Sequence, residues 1–366
     1  MTGEKGFMEK YTSYRFGAGR YLQEPDILAH SGGEICRYGK KVYVIGGPKA
    51  LRLTWDTLEK SFQSAGLDWV SEEYSGFPSY AKLDALRPKI RENGCDVLAG
   101  VGGGRIMDLV KAAGADLGLP VVLIPTSAAT CASFSPLSVM YTDEGRCVGY
   151  WHFEYEVNSV IVDELIMAAQ PPRLLAAGIM DAMAKCIEIS NGKPAITLQT
   201  DTIDKYSAYS LAKEVYHILE GWGKNAYQDV EQGKLTTTVH NVIFCVIALT
   251  GLVSSLMRAQ GQPALAHRMY EAIRTYYFKE SMHYLHGEIV ATGLIAQLRF
   301  NNDTGAIKGL KEYMKSMDMP MDLQALGLEH REEVLDTLFK NISNSVSVED
   351  TPQAHERLLA ALREIY

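Results

Sequence analysis

The chain is poor in cysteine, with six in 366 residues, and none of them forms a C-x-x-C pair. That excludes a zinc knuckle or redox dithiol of this kind and suits reduced thiols in a cytoplasm. The dinucleotide fingerprint G-x-G-x-x-G, a P-loop ending in G-K-[ST] and the H-E-x-x-H zinc pair are all missing. Positive charge is also short: 36 Lys and Arg stand against 44 Asp and Glu, a formal charge of -8. This is the wrong sign for a main partner that is nucleic acid or an anionic membrane, so a small-molecule ligand is expected. The N-terminal MTGEKGFMEKYTSYRFGAGRYL has no apolar core of the signal-peptide type, and its acidic residues argue against a transit peptide. The longest apolar run, Val242 to Met257, falls short of the about 18–20 residues that cross a bilayer and reads as a helix buried in a bundle.

What the chain has is length and ordinary globular composition, 47% hydrophobic and 22% charged. A chain of 366 residues exceeds the about 250–300 residues of a single core, so two domains are expected. In the first half, Lys41–Gly46, Asp68–Tyr74, Asp96–Val101 and Pro120–Pro125 read as strands bounded by turn residues. Helical patterns lie between them, over Pro48–Ala65, from Ser79 as cap to Glu92, and over Arg105–Leu117. Short connections of this kind imply a parallel, doubly wound sheet that binds ligands at the carboxyl ends of its strands. Two further apolar runs, Leu137–Tyr141 and Ser159–Val162, flank a turn at Asp143–Gly145.

From Pro171 onward the pattern is helical, over Arg173–Ser190, Thr200–Glu220, Leu235–Gln260, Ala264–Phe278 and Glu288–Phe300, with shorter helices to Tyr366. We expect an α/β nucleotide-binding domain with a parallel sheet over residues 1–165 and an all-helical domain over 166–366. The cleft between the two is the expected site.

Gly102, Gly103 and Gly104 follow an expected strand and open an expected helix. Residues without Cβ let backbone N–H groups approach an anion, and the helix N-terminus adds unsatisfied donors, so a pyrophosphate fits there. A tight turn that binds nothing would use the same triplet. The helical half offers histidines at 217, 240, 267, 283 and 286, and residue types alone do not choose among them.

Four ordered segments narrow the choice: GVGGGRIMDLVKA (Gly100–Ala112), IPTSAATCASFSPLSVMYTDEG (Ile124–Gly145), QPPRLLAAGIMDAMAKCIE (Gln170–Glu188) and LHGEIVATG (Leu285–Gly293). Together they resemble the glycerol dehydrogenase branch of the metal-dependent, iron-containing type of alcohol dehydrogenases, with hydroxycarboxylate dehydrogenases nearest in motif. The resemblance implies the dehydroquinate synthase-like or glycerol dehydrogenase-like fold, hydride transfer with NAD or NADP, and homo-oligomers, dimers or octamers. It implies Asp181, His267 and His286 as catalytic metal ligands; His283 competes with His286 by spacing, since residues three apart can face one side of a turn, and the motif match favours His286. A three-ligand set leaves an open position and suits zinc first, with iron, nickel or manganese also compatible. Four-ligand relatives carry a His one turn after the Asp, where this chain has Lys185. Where relatives have a second His in A-H-x-x-H, Tyr270 stands here.

The same resemblance assigns Gly103, Gly104 and Arg105 to the pyrophosphate and Thr126 and Ser127 to the loop after the fourth expected strand. Ser135, Leu137 and Tyr141 fall to the nicotinamide side, and Gly47 and Asp108 complete the cofactor set. Many relatives end the first expected strand with an Asp that holds the adenosine ribose. Gly47 stands there in this chain, with Lys49 close by, which removes repulsion toward a 2′-phosphate and admits NADP(H). Cys131 occupies the place of a polyol-facing Asp, favouring a 2-oxo or 2-hydroxy acid over a polyol. A glycerol dehydrogenase, a dehydroquinate synthase-like cyclase and a non-catalytic nucleotide sensor are the competing readings.

Overall fold

The computed structural model describes residues 14–193, 196–257 and 264–366. Among the described residues there are eight strands: β1 (Ala18–Glu24), β2 (Lys41–Gly46), β3 (Asp68–Glu73), β4 (Val97–Gly102), β5 (Val121–Pro125), β6 (Leu137–Tyr141), β7 (Cys147–His152) and β8 (Val157–Asp163). Six form one sheet in the order β1-β8-β5-β4-β2-β3, and every pairing in it is parallel. β2, β4 and β5 are buried almost throughout, as expected of parallel strands covered on both faces. β6 and β7 pair separately as an antiparallel hairpin.

Strand order reverses at β2, because β3 lies on one side of it and β4 on the other. The loops leaving β2 and β4 therefore diverge, and a crevice opens between Gly47 and Gly102. The two loops touch through the Gly47 amide, which donates to Val101 O at 3.1 Å. Gly102 has φ +152°, a backbone conformation that glycine alone adopts without strain.

The sheet ends at Asp163, whose carboxylate accepts from Leu165 N, Asp26 N and Leu28 N. Helices follow from Glu164. Those nearest the cleft are Pro172–Glu188, Leu265–Tyr276 and His286–Phe300, the first and last packed closely together. One hydrophobic cluster covers a sheet face with Leu58, Phe62, Val97 and Ile124. The larger cluster runs without a break from Tyr43 and Leu98 through Ile179 and Leu294 to Ile365, so the halves share a core across the change in architecture.

Several elements differ from the sequence reading. β1 and β7 are strands beyond those expected; β7 is half-exposed and carries Gly149, which hides a strand pattern. The expected helix ending at Glu220 runs instead over Ile203–Glu231, through Gly221 and Gly223. A Cβ at Gly223 would sit 2.1 Å from the Tyr313 hydroxyl, so this glycine serves packing and does not end the helix. The apolar stretch Thr237–Leu256 contains a π turn at Cys245–Leu249 and packs on the Ile203–Glu231 helix. It is long and apolar enough to cross a membrane by composition, yet 67% of its most apolar window is buried in the protein. The expected continuation of this helix to Gln260 lies outside the described residues.

Candidate active site

Asp181 lies in the middle of the Pro172–Glu188 helix and is 4% exposed. The helix packs against the loop that follows β5 because Gly178 has no side chain: a Cβ there would meet Ala128 O at 1.8 Å. His286 opens the His286–Phe300 helix, and Gly287 permits an equally close approach, since its Cβ would lie 1.9 Å from Ala177 O. Glu288 completes this turn by accepting from Leu285 N at 2.7 Å, and the same Oε2 accepts from Arg173 Nη2 at 2.6 Å while Oε1 accepts from Arg173 Nε at 2.5 Å. The Arg173 guanidinium also donates to His283 O at 2.9 Å. Each residue of H-G-E thus has a physical task in bringing two helices together.

His267, in the first turn of Leu265–Tyr276, completes a convergence. Its Nε2 is 3.4 Å from Asp181 Oδ1, and His286 Nε2 is 3.3 Å from the same oxygen. That buried oxygen has no hydrogen-bond partner, which is costly unless a cation or proton serves it. The ligand atoms of the three residues lie within 4.8 Å of one another. Ligands about 2.0–2.1 Å from a tetrahedral metal sit about 3.3–3.4 Å apart, so the observed spacings fit a divalent ion.

Glu188, two helical turns beyond Asp181 and 1% exposed, holds His267 from behind. Its carboxylate is 2.6 Å from Nδ1 and accepts from the His267 backbone N–H at 3.0 Å. A proton on Nδ1 leaves the Nε2 lone pair facing the cluster. Burial lowers the His267 pKa, but Glu188 and Asp181 outweigh it and push it up to about 9. Burial lowers His286. For Asp181 burial raises the pKa, yet His286, His267 and Lys185 together hold it well below the usual carboxylate range. A proton and a metal compete for the same lone pairs, so metal uptake at such a site releases protons.

The cluster forms one wall of a cavity of about 440 Å³ lined also by Gly104, Arg105, Asp108, Cys131, Ser135, Leu137 and Tyr141. Most residues singled out in the sequence therefore share one space. His283 lines it too, but His286 and not His283 belongs to the converging set. Cys131 is 9% exposed, with its thiol pKa raised by burial, and it is not part of that set. Tyr270 packs its ring edge-on against His286 at 4.2 Å between centroids, so the tyrosine forms pocket wall beside the cluster.

Gly47, Gly103, Thr126 and Ser127 are not lining residues of the cavity and sit at the strand ends beside it. Gly103 faces Ser127, whose Oγ would be 3.9 Å from an added Cβ; at Gly104 the neighbour would be Thr130 Oγ1 at 3.3 Å. The helix starting at Gly104 has no capping side chain, so its first amides are available to an anion. Arg105 lies over the Phe77 ring at 4.0 Å. Asp108 has its carboxylate 3.2 Å from the Lys111 ammonium, and burial raises its pKa to about 6. Lys111 also donates to the carbonyls of Ala132, Ser135 and Leu137, fixing the loop that follows Cys131.

A family model described as iron-containing alcohol dehydrogenase matches residues 18–164. Glycerol dehydrogenase of Escherichia coli O6:H1 is 32% identical over 313 residues, covering 85% of this chain and 84% of that protein. The chain belongs to the iron-containing alcohol dehydrogenase family. Hydroxycarboxylate dehydrogenase A of Escherichia coli K12 is 31% identical over 242 residues, 65% of each chain. A probable glycerol dehydrogenase from Sinorhizobium meliloti superposes with a TM-score of 0.83 at 24% identity, covering 96% of this chain and 99% of that one, which supports the fold. As an iron-containing alcohol dehydrogenase, the protein is a metal-dependent, nicotinamide-linked oxidoreductase acting on CH–OH groups.

Glu188, Arg173 and Lys185 are site residues the sequence reading did not assign. Glu188 had one signal, an acidic residue seven positions after Asp181 on the same face of an apolar helix.

Proposed function

We propose that this cleft interconverts small 2-oxo acids and 2-hydroxy acids, using NADP(H) as well as NAD(H) and zinc held by Asp181, His267 and His286. The observation that carries the substrate reading is the neutral, buried Cys131 facing a cavity whose lining cations are Arg105, Lys185 and Arg274. A carboxylate at position 131 would repel an anionic substrate, and a protonated thiol does not. The name of the hydroxycarboxylate dehydrogenase relative accords with this reading, while the glycerol dehydrogenase relative makes a polyol the second reading.

When bound, the metal supplies a Lewis acid for charge developing on the substrate oxygen, and the nicotinamide supplies or accepts the hydride. The residues of this chain do the rest. Asp181, His267 and His286 fix the reacting end of the pocket, with Glu188 orienting His267. The Gly103–Gly104 amides, Ser127 and Thr126 receive the pyrophosphate, and Ser135, Leu137 and Tyr141 border the nicotinamide. Gly47 leaves room at the adenosine ribose, and Lys49, exposed one residue into the next helix, offers a point charge to a 2′-phosphate.

The decisive experiment compares kcat/KM for a series of 2-oxo acids and for glycerol oxidation, with each nicotinamide cofactor. The reading predicts that 2-oxo acids exceed glycerol at least tenfold and that NADPH is accepted. Efficient glycerol turnover with inert 2-oxo acids would establish the polyol reading instead.

A further inference from the structure

Tyr270 follows His267 by one turn in the helix Leu265–Tyr276, and Arg274 follows Tyr270 by one turn more, so the three share a face. All three line the cavity. The Tyr270 ring is held from several directions. It packs edge-on against His286 at 4.2 Å between centroids, and the Arg274 guanidinium stands 5.6 Å from its centre. Arg274 is itself buried and donates to the carbonyls of Ser281 and Tyr284, so backbone sets its position.

Tyr141, the last residue of β6, meets the Tyr270 hydroxyl from the sheet half. Burial and then this neighbouring phenol raise the Tyr141 pKa well above its ordinary value, so its hydroxyl stays neutral. One residue beyond Tyr270, Glu271 accepts from the Tyr150 hydroxyl of β7 and from Arg268 Nη1 at 2.7 Å. The β6–β7 hairpin is thus tied at two neighbouring points to the helix that carries His267. The reacting carbon of a substrate has to lie between the ligand cluster, which takes its oxygen, and the residues bordering the nicotinamide, of which Tyr141 is one. Tyr270 touches the first boundary and Tyr141 forms part of the second. Where the two phenols meet, the space between is closed on that side.

We propose that Tyr270 determines specificity for substrate length, by ending the room for the carbon chain attached to the reacting carbon, so that short substrates are taken and longer ones excluded. This inference rests on the cofactor placement proposed above and is independent of the choice between acid and polyol, because the wall acts on the chain and not on the head group. A ring packed against His286, Arg274 and Tyr141 has no free space into which to turn, and a close-packed wall yields to an added methylene only at a cost. The limit it sets is therefore steep.

The test uses the zinc-loaded enzyme and two homologous series, 2-hydroxy acids from lactate to 2-hydroxyhexanoate and 1,2-diols from propane-1,2-diol to hexane-1,2-diol. Tyr270→Ala, Tyr270→Leu and Tyr270→Phe are compared with wild type, and zinc content is measured for each. In the series that wild type oxidises, kcat/KM falls at least tenfold from the three-carbon to the six-carbon member. The ratio of the six-carbon to the three-carbon value rises at least tenfold in the Ala variant, rises less in Leu, and stays near wild type in Phe, which keeps the ring. Binding gives a second readout. The same alcohols, titrated into enzyme that already holds reduced cofactor, form a complex in which no hydride passes; there the six-carbon member binds the Ala variant at least tenfold more tightly than wild type, and the three-carbon member does not. A wild-type ratio in zinc-replete Ala and Leu variants, or a wild-type enzyme without length dependence or without turnover of either series, overturns the proposal. Equal losses at every chain length, or loss of zinc from both variants, overturn it by making Tyr270 only a support for His286. A wild-type enzyme that binds no reduced nicotinamide cofactor defeats the cofactor placement and this inference together.

Discussion

Glu188 is not among the residues lining the cavity, yet it holds one of the three converging side chains, His267. It receives both the Nδ1 face and the backbone N–H of His267, so its removal frees the imidazole to rotate or to change tautomer. Losing such support typically costs about 10–100-fold in metal affinity. Glu188→Ala is therefore expected to bind zinc about 10–100-fold more weakly in a chelator competition, with turnover restored as zinc is raised; an affinity equal to wild type would mean that Asp181 and His286 alone orient the ion. The three converging residues were legible because their motifs are local and ordered along the chain. Glu188 with His267, and Arg173 with Glu288, were not. These pairs are separated by 79 and 115 residues, and only tertiary packing makes them neighbours.

Helices bring these side chains together through glycine contacts with backbone. Gly287 sets the His286–Phe300 helix against Ala177, and Gly178 sets the Asp181 helix against Ala128. Neither atom met is the end of a flexible side chain, so the clash cannot be relieved by a rotamer change. Gly287→Ala is expected to lower stability by about 1–3 kcal/mol or more and to weaken zinc binding by displacing His286. Thermal melts of the metal-free and zinc-loaded variant test both effects, and a variant matching wild type in each would show that the helices have slack. The buried parallel strands β2, β4 and β5 were readable as continuous apolar runs between turn residues. β1 was not, because its AGRYLQE sequence is that of a partly exposed edge. The Ile203–Glu231 helix was read short because Gly221 and Gly223 look like breakers until the Tyr313 hydroxyl is seen against Gly223.

Across the whole molecule, charge and architecture point the same way. A chain of net charge -8 keeps Arg105, Lys185 and Arg274 around one cavity, a local exception in an acidic protein that favours an anionic cofactor and, on the proposed reading, an anionic substrate. The parallel sheet supplies strand ends and a helix N-terminus, while the helical half supplies Asp181, His267 and His286. A shared hydrophobic core joins the two. The order of a parallel-sheet half followed by a helical half was legible from the change in sequence pattern; the continuity of the core was not, because periodicity reports which face of an element is apolar and not what it packs against. Metal removal followed by repletion tests the central claim most directly. Zinc content and carbonyl reduction are measured before chelation, after it and after stoichiometric zinc is returned. The account predicts one ion per chain, turnover that falls at least a hundredfold when the ion is removed and returns with it, and no such recovery in Asp181→Ala. Full turnover in metal-free enzyme, or full zinc-restored activity in Asp181→Ala, would contradict it.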